Sequence, residues 1–94
     1  MFRKRKWYER GRGRIESDEG FSVFVGRDAV TYREDGREMT ITVDSGAGRA
    51  VVFKASIGRW DDDPARLVDD ETRTRIQNNV GSVLEWLGWN VRFQ

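Results

Sequence analysis

Six carboxylates crowd one short stretch: Asp61, Asp62 and Asp63 follow Trp60 directly, and Asp69, Asp70 and Glu71 lie just beyond. Oxygen ligands in such number could hold Ca²⁺ or Mg²⁺. Their spacing argues otherwise. A calcium loop alternates its ligands around a central glycine, and three consecutive side chains cannot easily aim at one ion. The same acids could complement a helix N-terminus and keep the surface soluble, or form an acidic patch for a protein partner. Trp60 beside them either caps a sheet edge or stands out as an interface anchor.

Other reactive chemistry is scarce. The chain has no histidine and no cysteine, which removes the usual general base, thiolate nucleophiles, disulfides and cysteine-based metal sites. An enzyme would have to work with carboxylates, Tyr, Ser/Thr or Lys. Pairs such as Glu34 with Asp44 could be drawn, but nothing in their spacing selects one pair over another. Gly11-Arg12-Gly13 and Gly46-Ala47-Gly48 neither open a helix nor precede Lys-Ser/Thr, so they are not phosphate loops. No catalytic residue, metal or cofactor is expected. A cysteine-free chain fits a cytoplasmic home.

A second cluster is basic. Residues 1–14 carry seven basic residues against one acid, a net +6, while residues 15–94 carry ten against fifteen, a net −5. The overall +1 therefore hides an acidic folded part and a basic tail. Arg3, Lys4, Arg5, Lys6, Arg10, Arg12 and Arg14 could bind phosphates, with Trp7 available for stacking on bases. Alternatively, this is a flexible, solvated terminus. Its charged start resembles that of a signal peptide, but Trp7-Tyr8-Glu9-Arg10 stands where the apolar segment should be. No apolar run approaches the roughly 18 residues of a membrane-spanning helix.

The elements that must position these residues follow from periodicity. Ninety-four residues with 37% hydrophobic and 35% charged composition suit one domain with a thin core and a charged surface. Phe21–Val25, Ala29–Arg33, Glu38–Asp44 and Arg49–Ile57 alternate as four strands joined by turns, of which Asp35-Gly36 is a hairpin pair. In the last of these, Val51, Phe53, Ala55 and Ile57 are expected to face the core. Ile76, Val80, Val83, Leu84 and Leu87 form one apolar helical stripe. Asp69 or Asp70 is placed to cap that helix and Gly88 to end it. Trp89, Val91 and Phe93 alternate as a closing strand. The expected fold is α+β: an antiparallel meander of about four strands, then one amphipathic helix packed on the sheet and a C-terminal strand. Residues 1–14 are expected as a basic tail and 15–94 as the single domain.

Taken together, the Gly36-Arg37 hairpin step, the strand ending Ser56-Ile57-Gly58-Arg59-Trp60, the acidic loop with Pro64, the helix carrying Ile76-Gln77-Asn78-Asn79-Val80 and the terminal Gly88-Trp89-Asn90-Val91-Arg92-Phe93 resemble small bacterial immunity proteins of polymorphic-toxin systems, the immunity-protein-74 type. The resemblance covers roughly residues 21–94 and leaves the basic tail outside. It implies a cytoplasmic antidote, monomeric or homodimeric, that binds a cognate toxin domain and blocks it without chemistry of its own. The contact would fall on Trp60, Asp61, Asp62, Asp63, Asp69, Asp70 and Glu71, whose sign would suit a basic partner. The rival expectation is a nucleic-acid-associated accessory protein that uses the basic tail. No contact with a membrane is expected.

Overall fold

The computed structural model describes residues 7–9 and 13–94. Among these residues seven strands form one sheet whose spatial order follows the chain: β1 (Trp7–Glu9), β2 (Arg14–Ser17), β3 (Phe21–Val25), β4 (Ala29–Glu34), β5 (Arg37–Gly46), β6 (Arg49–Val52) and β7 (Asn90–Phe93). Neighbours from β1 to β6 are antiparallel, and β7 joins β6 in parallel. Parallel neighbours require a crossover. Here it consists of a 3-10 turn at Lys54–Ser56, a loop and the helix α1 (Asp70–Trp86). The protein is therefore α+β, among the described residues a curled sheet with one α-helix. Among the described residues the meander has six strands rather than about four, and the C-terminal strand read from the sequence pairs in parallel, which makes the sheet mixed. β1 and the first residue of β2 belong to the segment read as a tail, so pairing continues across that boundary.

The hairpins follow from local chemistry. Asp35-Gly36 and Ala47-Gly48 are two-residue turns in which both central residues have positive φ, the turn geometry whose twist matches that of paired strands. The second turn sets Gly46 opposite Arg49 and so brings Val52 against Val43. This reverses the expected faces of the last meander strand. Ala50 and Val52 are buried while Val51 is only partly so. That strand also stops at Val52, and the 3-10 turn re-aims the chain so that Ile57 is buried as well.

The core is a set of cross-strand rows. Ile15, Val23, Tyr32 and Met39 stand opposite one another from β2 to β5, with Val30 opposite Ile41 beside them, and all are buried. α1 lays Ile76, Val80, Val83 and Leu84 on these rows. Each such side chain contributes about 1.5–3 kcal/mol on full burial. Asp69 caps the helix by accepting from the Thr72 amide at 2.8 Å, and Gly88, at φ 93°, follows its end, both as the sequence indicated. Among the described residues no helix is long and apolar enough to cross a membrane.

Candidate functional site

The loop after β6 uses most of its functional groups internally. Trp60 is 8% exposed and belongs to the core. Its ring lies 6.3 Å from that of Tyr32, and the Arg37 guanidinium covers it at 5.0 Å. Of the two roles open to Trp60, it takes the capping one, so it does not stand out as an anchor. The Asp61 carboxylate accepts from the Thr40 amide at 3.1 Å and from the Thr40 hydroxyl at 2.8 Å, while its own N–H donates to the Glu38 carbonyl. It fastens the loop to β5. Asp62 accepts from Arg37 Nη2 at 3.0 Å and Nε at 3.3 Å. Arg37 thus covers the tryptophan and neutralises an acid at once.

Five of the residues proposed for partner contact line two depressions. Trp60, Asp63 and Asp69 line a depression shared with Arg37 and Arg66. Asp70 and Glu71 face a different cleft, about 630 Å³, between α1 and the β2–β3 turn. That cleft also takes in Glu19 and Glu34, with Arg75 as its cation. Asp69 is bound to the helix it caps, and hydrogen bonding by Thr72 holds its carboxyl below the usual range.

A polar network forms the floor of this cleft. Asn79 Nδ2 donates to the Tyr32 hydroxyl at 3.0 Å, and that hydroxyl donates to Glu34 Oε1 at 2.8 Å. Arg75 meets the same carboxylate with both Nε (3.1 Å) and Nη2 (2.7 Å). Burial alone would raise the Glu34 pKa, but the hydrogen bonds from Arg75 and Tyr32 and the Arg75 charge outweigh it and hold it below the ordinary glutamate value. Burial, reinforced by the Glu34 charge, pushes the Tyr32 phenol up despite its hydrogen bond from Asn79. The bond to Glu34 raises Arg75 in turn. A carboxyl held ionised beside a phenol held neutral is poorly suited to exchanging protons near neutral pH. The network instead ties α1 to β4.

The sequence reading gave no role to Tyr32 or Arg75 and took Asn79 only as part of a helix segment. The available signal was Asn79 beside Val80 on the apolar stripe, four residues after Arg75. A polar residue at a buried stripe edge needs a partner. Among the described residues, no group of three or more carboxylates could hold a metal ion. Arg14 begins β2 and lies 3.7 Å from Glu16. Trp7 is in β1. Arg3, Lys4, Arg5, Lys6, Arg10 and Arg12 lie outside the described residues.

The fold and site together define a small α+β protein with an acidic cleft beside α1. No protein-family model, curated protein or solved structure matches this chain.

Proposed function

We propose that this chain is a non-catalytic protein-binding module whose acidic cleft receives a basic surface of a partner. The observation that carries the reading is the convergence of Glu19, Asp70 and Glu71 on one cleft beside the Glu34–Arg75 pair. A concave site lined mainly by one sign of charge steers and selects a partner of the other sign. The resemblance to immunity proteins supplies the kind of partner: a cognate toxin domain, blocked sterically in the cytoplasm. Compared with the sequence expectation, the contact is placed on Asp70, Glu71 and the β2–β3 turn rather than on the Trp60–Asp63 loop, because Trp60 is buried and Asp61 and Asp62 are bonded within the fold.

The test is capture from the native cell extract after nuclease treatment, using the full chain and the Asp70→Lys/Glu71→Lys variant. Expected is one stoichiometric protein retained by the wild type, bound far more slowly by the variant, and inhibited on binding in a growth or nuclease assay. Equal retention by the two forms, or a retained protein whose activity is unaffected, would sink the proposal.

A further inference from the structure

The sheet face turned away from α1 carries a second assembly. On it, Arg14, Phe24 and Thr31 stand opposite one another across β2, β3 and β4, and Ser22 stands opposite Arg33 in the next row. Phe24 is 49% exposed, and among the described residues it is the exposed large hydrophobic carried by a strand. It sits in a shallow depression lined by Arg14, Ser22, Thr31, Arg33 and Glu38. Small polar neighbours leave room over an aromatic ring, and two guanidinium groups flank it.

The geometry points to this face as a binding platform for single-stranded nucleic acid, with Phe24 stacking on a base and Arg14 and Arg33 meeting phosphates. Two observations select that occupant. Among the described side chains, Phe24 is a single exposed aromatic among polar residues, which offers too little apolar area for a hydrophobic protein interface. One ring face with adjacent arginines is instead what a base and its phosphate require. Finally, the acids of the cleft line the α1 side of the sheet, so the acidic balance of residues 15–94 is not concentrated here. Carboxylates do share the face: Glu16 beside Arg14, Glu38 opposite Arg33, Asp44 further along β5, and Asp61 bonded to the Thr40 hydroxyl. They cap the affinity and disfavour a continuous phosphate track of the kind duplex DNA needs.

The experiment titrates the full chain into labelled single-stranded RNA and DNA oligonucleotides over a range of salt concentrations. Phe24→Ala, Phe24→Leu, Phe24→Tyr and the Arg14→Glu/Arg33→Glu pair are compared with the wild type. Thermal melting of each variant controls for folding, which a half-exposed side chain on the wet face leaves largely untouched. Expected is salt-sensitive binding by the wild type, weakened roughly tenfold in Phe24→Ala. Phe24→Leu should be weakened as well, because leucine keeps the bulk and loses the stacking face, whereas Phe24→Tyr should bind like the wild type. The double arginine variant should lower the log–log salt slope by about 1.4, two single-strand phosphate contacts. Absence of binding by the full chain overturns the inference. So does binding that Phe24→Ala and Phe24→Leu leave unchanged, which would assign any affinity to residues 1–12 alone.

Discussion

The Trp60–Asp63 loop and the cleft beside α1 are both rich in carboxylates, and both draw on an arginine and an aromatic ring. In the loop, Asp61 is held by Thr40 and Asp62 by Arg37, while Arg37 also shields Trp60. In the cleft, one bidentate pair, Glu34 with Arg75, is tied to the buried Tyr32 and Asn79, and further acids gather around it. An acidic run in sequence is therefore not a full measure of acidic potential in space: Asp61 and Asp62 stay exposed but carry their own donors. What matters is whether the neighbouring strand offers donors that absorb the charge, as β5 does for the loop through Thr40 and Arg37.

If the loop is structural, Trp60→Ala should produce the largest loss, about 3–5 kcal/mol as for other buried tryptophans, read by chemical denaturation. A loss below about 1 kcal/mol would return Trp60 to the list of surface residues. Next comes Glu34→Ala, expected to cost about 2–3 kcal/mol because it removes a charged hydrogen-bond partner from a buried phenol. Its pH dependence sharpens the comparison. The Glu34 pKa is lowered on folding, so the wild-type advantage is present above the unfolded glutamate value of about 4.3 and is lost as pH falls from there through the folded value. A wild-type advantage that stays constant on acidification would show that the pair contributes no linked charge.

Within the loop, neighbouring acids should behave unequally. Asp61→Ala forfeits bonds to a backbone amide and a hydroxyl and is expected to cost about 1.5 kcal/mol. Asp62→Ala breaks an exposed ion pair, with side chains 41% and 64% exposed, and should cost less than about 0.5 kcal/mol. Melting curves of the two variants decide the point, and equal losses would break the distinction between a fastening acid and a surface one.

The elements most legible in the sequence were those governed by local rules. The α1 stripe, the Asp69 cap, Gly88 beyond the helix end and the Asp35-Gly36 turn all depend on residues within a few positions of one another. The face of β6 was misjudged because alternation alone fits either face, and the choice depends on register at the Ala47-Gly48 turn, which sets Val52 against Val43. Strands β1 and β2 are short, three and four residues, and too charged to stand out by alternation. Their pairing comes from a neighbouring strand rather than from their own pattern.

The sequence by itself determined the α+β class, the single capped helix, the hairpin chemistry and the lack of histidine and cysteine chemistry, because composition and short-range periodicity are properties of the chain alone. Tertiary structure decided which acids find donors within the fold, that β7 lies parallel to β6, and that Tyr32, Glu34, Arg75 and Asn79 meet. Those contacts join residues 41 and 47 positions apart, and no local preference encodes them. They form only when the crossover sets α1 against β4, where a polar side chain leaving water must find its partner there or lose stability.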